Sequence, residues 1–171
     1  MANTHTPIAT ATVGGGGAGS VTFSSIPQIY KDLCVLVSAR CDRGLYVDDY
    51  RILFNSNSTP FTYRALTADG QTVTAYGGTT NSNNIGVTTA ANATSLTFSN
   101  GLVYIYNYTG STYKGYRADS VSENNSTNAQ QWMNAGVYKN SSAITSITID
   151  QGDGSNWLQH STFYLYGIKN S

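Results

Sequence analysis

Short segments that are either apolar or alternate between hydrophobic and polar residues recur along the chain, which indicates β-strands and not helices. The pattern predicts about ten short strands, spaced roughly ten residues apart and separated by turns rich in Gly, Asn and Asp. One segment, residues 32–41, is a nearly continuous apolar run and therefore predicts a central strand that is buried on both faces. No segment has the pattern of a helix.

This order of elements predicts an all-β protein, specifically an antiparallel β-sandwich of jelly-roll-like architecture. Residues 20–171 are expected to form one sandwich domain. Residues 1–19 are expected to form an extended N-terminal arm that ends in a glycine-rich linker, GGGGAGS. In such an arm the apolar Ile8 and Val13 are the candidate contacts with a neighbouring molecule.

Two dipeptides predict specific hairpin turns. Asp69-Gly70 separates the strands predicted at 61–66 and 71–76. Asn100-Gly101 separates those predicted at 95–99 and 102–108, and an Asn-Gly pair supplies the two positive-φ residues of a type I′ turn.

Composition narrows the functional classes. Thr, Ser and Asn make up a third of the chain, charged residues are only 11%, and the formal net charge is zero. Nucleic-acid binding is disfavoured, because it depends on basic side chains that neutralise phosphates. No apolar stretch reaches the length of a membrane span, so no membrane association is expected. Cys34 and Cys41 would lie about 20 Å apart on one strand, which predicts two unpaired thiols and a reducing compartment.

Catalytic chemistry has little support in the sequence. Glu123 is the only glutamate, so a pair of catalytic carboxylates would have to come from aspartates such as Asp119 and Asp150, which lie at predicted strand ends or turns. Asp150, Asp153 and Asn156 could supply oxygen ligands to calcium, but the spacing does not match that of an EF-hand, and a tight turn is the favoured interpretation. We therefore expect no enzyme activity, no cofactor and no metal site.

Tyrosines are concentrated between residues 101 and 120. Strand alternation places Tyr104, Tyr106 and Tyr108 on one face, and Val103 and Ile105 on the face towards the core. Two further tyrosines, Tyr113 and Tyr116, follow and complete a candidate interaction surface. Three roles stay open for it: cross-strand packing within the sheet, contact with another subunit, and stacking on a host glycan.

Several segments resemble a group of small virion proteins of tailed bacteriophages. The resemblance lies in F-x-x-I-P at 23–27, Y-x-D-L at 30–33, N-Y-x-x-x-x-Y-K at 107–114 and L-Y-G-I-K at 165–169. It spans roughly residues 18–169 and implies a structural protein without catalytic residues.

The resemblance implies a protein that decorates or cements the outer capsid surface, or one that belongs to a fibre or tail appendage. Such a protein would be made in the cytoplasm of the bacterial host and would reside in the virion. Its expected partners are the major capsid protein or another virion protein. We also expect a homo-oligomer, with a trimer favoured. The alternative is a head- or tail-fibre domain that binds host surface glycans.

Overall fold

The computed structural model describes residues 4–70, 72–78, 83–122 and 129–169, and this part of the chain contains strands and turns but no helix. No membrane-spanning helix is therefore found among the described residues. The strands are β1 His5–Thr12, β2 Ser20–Phe23, β3 Asp32–Ala39, β4 Val47–Phe54, β5 Phe61–Asp69, β6 Thr72–Gly78, β7 Asn84–Thr89, β8 Ser99–Ile105, β9 Lys114–Ser122, β10 Gln130–Tyr138, β11 Ile147–Asp150 and β12 Thr162–Ile168.

The strands form two antiparallel sheets. The larger has the order β1-β12-β3-β8-β9-β10-β5-β6, and the smaller has the order β2-β11-β4-β7. The main hydrophobic cluster takes buried side chains from both sheets, as in a β-sandwich. The expected all-β antiparallel class is therefore confirmed, whereas the expected N-terminal arm is not.

The apolar run at 32–41 forms β3, which lies inside the larger sheet between β12 and β8. Leu33, Val35 and Val37 point into the core and are at most 3% exposed. On the opposite face Cys34 is also buried, while Leu36 and Ser38 are half-buried. The prediction of a central strand is confirmed.

Side chains of the larger sheet form hydrogen bonds with backbone groups of β7, the edge strand of the smaller sheet. The backbone N–H of Val87 in β7 donates a 2.8 Å hydrogen bond to Oγ of Ser120 in β9. Nδ2 of Asn134 in β10 donates a 2.7 Å hydrogen bond to the carbonyl oxygen of Asn84 at the start of β7. Because edge groups of β7 have partners, the two sheets are joined along this side.

The predicted Asn100-Gly101 turn is wrong, because both residues lie inside β8. Gly101 is required there by packing, since a Cβ atom at this position would clash with the hydroxyl of Tyr50 from the facing sheet. The Asp69-Gly70 hairpin is found as predicted: β5 pairs with β6, and Gly70 has a φ of 71°.

The N-terminal segment is an integral edge strand. β1 pairs with β12 from His5 to Thr12, with a register shift between Pro7 and Ala9. Ile8 packs against the main cluster and Val13 is 4% exposed. Both residues expected to contact a neighbour from an arm therefore contact their own domain.

Candidate interaction face

The outer face of the larger sheet, defined as the side that points away from the smaller sheet, carries three rows of side chains that run across the strands. One row contains Leu66, Met133, Asp119, Leu102, Leu36 and Tyr164. The second contains Arg64, Ala135, Arg117, Tyr104, Cys34 and Tyr166, and the third contains Ala68, Gln131, Val121, Asn100, Ser38 and Thr162. The pairing register of the strands places the residues of each row side by side.

Large apolar side chains on this outer face are open to solvent. Leu66, Met133 and Val121 are 52%, 51% and 46% exposed. Shallow depressions lie between the rows, one around Met133 and Arg117 and another around Leu36 and Leu102. A sheet face with several exposed large apolar side chains is typical of a surface that another macromolecule covers.

Most of the outer face is uncharged: within the three rows the charged residues are Arg64, Arg117 and Asp119. The guanidinium carbon of Arg117 lies 5.9 Å from the ring centroid of Tyr104, within the range of a cation–π contact. The Tyr104 ring also lies beside that of Tyr106, with centroids 4.9 Å apart and planes tilted by 48°.

The structure divides the five predicted surface tyrosines into two groups. Tyr106 and Tyr113 are 42% and 61% exposed and Tyr104 is half-buried, whereas Tyr108 and Tyr116 are 0% and 2% exposed and belong to the core. The prediction for these last two is wrong.

The position at which β8 ends explains why Tyr108 is buried. β8 ends at Ile105, and Asn107 has a φ of 48°, so the alternation stops before Tyr108 and the chain turns that side chain inwards. Tyr116 lies on the inner side of β9, where its ring packs edge-on against Phe54 and Phe61.

The segments that carry the phage resemblance meet at one end of the fold, and hydrogen bonds connect them. The hydroxyl of Tyr108 donates to the carbonyl oxygen of Pro27. Asp32 accepts the backbone N–H of Asn107 at 2.7 Å through Oδ1 and the hydroxyl of Tyr104 at 2.9 Å through Oδ2. Burial, together with the Asp32 carboxylate, raises the pKa of Tyr104 to about 12.

Two further contacts belong to this set of connected segments, which we call the motif network. The ring of Tyr30 packs on Gly167, where any Cβ atom would clash with it. The buried ammonium of Lys114 donates to the carbonyl oxygens of Gly110 and Thr112, each at 2.5 Å, and so holds the turn that follows β8. The four segments that carry the resemblance thus all contribute contacts that stabilise this end of the protein.

Two of the three candidate aspartates have structural partners. Asp150 forms an ion pair with Arg51 at 2.5 Å, and Asp153 forms one with Arg43 at 3.1 Å. Asp119 lies on the outer face. Within the described ranges no group of three His, Cys, Asp or Glu side chains is placed to hold a metal ion.

Both cysteines are free and buried. Burial raises the pKa of the Cys34 thiol, and it raises that of Cys41 to about 11. Thiols of this kind are protonated and poorly reactive, in contrast to catalytic or redox cysteines.

Sequence reasoning missed most of the outer face. Leu36, Leu66, Met133 and Tyr164 were not singled out, because they lie on four different strands and only the pairing register makes them neighbours. A partial signal was present in β9, where the apolar Tyr116 and Ala118 alternate with the charged Arg117 and Asp119.

Comparison with known proteins gives no match: no family model, no curated protein and no solved structure is similar to this chain.

Proposed function

We propose that the protein is a structural component of a tailed-bacteriophage virion that decorates or cements the outer capsid surface. The observation that carries the proposal is the outer face of the larger sheet, which is broad, mostly uncharged and exposes large apolar side chains. Covering it with a capsid subunit would remove Leu66, Met133 and Val121 from water, at about 25 cal/mol for each Å² of apolar surface buried.

The polarity of the outer face suits adhesion between proteins. Tyr, Met and Arg are enriched at protein interfaces, and here Tyr104, Met133 and Arg117 lie on adjacent strands. A protein of this kind resists expansion of the shell by holding neighbouring capsid subunits together, and this role needs no catalytic reaction. The buried thiols and paired aspartates are consistent with a protein that carries out no reaction.

The proposal includes a jelly-roll core, and the strand order favours it. Eight of the strands separate into two groups of four, β1-β12-β3-β8 and β2-β11-β4-β7. In chain order these eight strands alternate between the sheets, except that β4 and β7 both lie in the smaller one, as in the two interlocked Greek keys of a jelly roll. The hairpins β5–β6 and β9–β10 are then insertions that widen one sheet, and they supply half of the outer face.

Jelly rolls occur in viral capsid proteins and in lectins, so the architecture is compatible with the proposal but does not select it. A symmetric oligomer, with three copies favoured, would place several outer faces on adjacent capsid subunits. An extended arm is not required, because the contact surface belongs to the folded domain.

Fractionation of the virion tests this proposal. Purified particles are separated into heads and tails, and the protein is quantified against the major capsid protein in each fraction. We expect it in the head fraction at a fixed ratio set by capsid symmetry. Its presence in tails alone would refute the proposal.

A second candidate function is a fibre domain that binds host glycans through tyrosines. The exposed rings of Tyr106 and Tyr113 favour it, since aromatic faces stack on sugar rings. Against it, Tyr104 and Tyr106 are tilted by 48° and form no flat platform. Screening against a glycan array tests it: the candidate requires that Tyr106→Ala and Tyr113→Ala weaken any binding that is found.

A further inference from the structure

A pocket of about 390 Å³ opens at the end of the fold opposite the motif network. Four connections line it: β1–β2, the segment that follows β3, β7–β8 and β11–β12. Their lining residues include Gly16, Asp42, Leu96, Gln159 and His160. A volume of this size falls within the range of small-molecule sites.

Hydrogen bonds hold the β7–β8 wall of the pocket in place. Arg40, which is 6% exposed, extends under this wall. One terminal nitrogen donates to the carbonyl oxygens of Thr94 and Thr97 at 2.7 and 3.2 Å, and the other donates to those of Ala91 and Ala93 at 3.1 and 2.9 Å. A single side chain thus fixes four carbonyl groups of one connection.

The other connections are tied to one another. The carboxylate of Asp42 accepts hydrogen bonds from the backbone N–H and from Nδ2 of Asn156, at 2.8 and 2.9 Å. The backbone N–H of His160 donates to the carbonyl oxygen of Val13 at 3.0 Å. A pocket whose walls are connected in this way is pre-organised, which lowers the entropic cost of binding a ligand.

Leu96 has an unusual conformation for its residue type. Its φ is 62° and its side chain is 75% exposed, so an apolar, non-glycine residue occupies the left-handed region without gaining burial. His160, also on the pocket, has a φ of 74°. Outliers of this kind concentrate at functional sites, which marks this rim of the sandwich as a candidate site.

From these features we propose that the pocket binds a neutral saccharide. The amide of Gln159 and the imidazole of His160 offer donors and acceptors for hydroxyl groups, while Leu96 and Phe98 offer apolar surface for a pyranose ring. Each carboxylate oxygen of Asp42 already accepts one hydrogen bond from Asn156 and keeps a further lone pair for a hydroxyl group. An anionic ligand fits less well, because both terminal nitrogens of Arg40 already donate to backbone carbonyls.

The saccharide site is independent of the capsid proposal. A protein that fails to bind heads could still bind sugar, and a capsid decoration protein that binds sugar would display this pocket at the rim of the sandwich. The site is also distinct from the pair Tyr104 and Tyr106, which lies at the other end of β8.

The test is a screen of the purified chain on an array of neutral and acidic glycans, followed by titration of each hit. Two variants probe the pocket. Leu96→Gly removes the apolar contact and replaces a strained residue with the one that best tolerates a positive φ, and Gln159→Ala removes an exposed amide. The controls are Leu45→Ala, an exposed leucine outside the pocket, and Tyr106→Ala.

We expect at least one neutral saccharide to bind, each pocket variant to weaken its affinity at least about tenfold, and each control to leave it unchanged. We also expect Leu96→Gly to melt no lower than the parent chain, which separates loss of binding from loss of folding. The proposal is overturned if no neutral saccharide binds, if both pocket variants bind as the parent does, or if only Tyr106→Ala abolishes binding.

Discussion

The backbone N–H of Asn107 donates a 2.7 Å hydrogen bond to Oδ1 of Asp32, and this contact joins the end of β8 to the start of β3. Oδ2 of the same carboxylate accepts the hydroxyl of Tyr104. One acidic side chain therefore fixes where the strand stops, and with it the inward turn of Tyr108.

This relationship predicts the titration of Tyr104. Its pKa is raised from 10.0 to about 12 by burial first and by Asp32 second, so Asp32→Asn should lower it without returning it fully to 10.0. Ultraviolet absorbance titration of the tyrosines measures this, and Tyr104→Phe identifies the signal. An unchanged titration curve in Asp32→Asn would contradict the contact.

The direction of the same pKa shift predicts how the stability of the protein changes at alkaline pH. Folding favours the neutral hydroxyl, so the stabilisation is complete below the unfolded pKa of 10.0 and is lost as the pH rises through about 12. The difference in unfolding free energy between the parent chain and Tyr104→Phe should therefore shrink over this interval. Chemical denaturation at successive pH values checks it, and a constant difference would count against the assignment.

Packing of Gly101 against Tyr50 predicts a coupled pair of substitutions. Gly101→Ala should destabilise the fold by about 1–3 kcal/mol, the usual cost of overpacking a core. Adding Tyr50→Phe removes the hydroxyl that the new methyl would strike and should recover about 1 kcal/mol or more. Gly44→Ala is the matched control, since nothing lies within 4 Å of its Cβ position. Purely additive effects would contradict this packing.

How much the sequence predicts depends on whether a feature is local. The apolar run in β3 and the Asp69-Gly70 turn are set by neighbours in the chain, and both are found. The all-β class follows from them.

Features that depend on distant partners could not be predicted. Asn100-Gly101 has the signature of a turn, yet Tyr50 on the other sheet requires a glycine within the strand. Tyr108 continues an alternating pattern that Asp32 and Asn107 interrupt. The outer face depends on the register between strands far apart in the chain, and the saccharide pocket depends on four separate connections.

The outer face predicts variants that fold but do not bind. Leu66→Glu and Met133→Glu place charge on half-exposed positions, so the free energy of unfolding should change by less than about 1 kcal/mol. Binding to heads should fall at least about tenfold, because a buried unpaired carboxylate is costly. Co-sedimentation with heads measures this, with Leu45→Glu as the control. Undiminished binding by both variants would exclude this face as the contact.

Burial predicts inert thiols. Cys34 and Cys41 should resist alkylation in the native protein, and both should react once it is unfolded. Mass spectrometry after treatment with an alkylating agent reads this directly. Rapid labelling of either cysteine under native conditions would be inconsistent with the burial of its thiol.

The most direct test of the capsid proposal is a residue-resolution electron-microscopy map of the virion that carries this protein. The account predicts density for the protein on the outside of the shell, with the Leu66–Met133–Leu102 row facing a capsid subunit. Density confined to the tail, or a shell-bound protein whose outer face points to solvent, would contradict it.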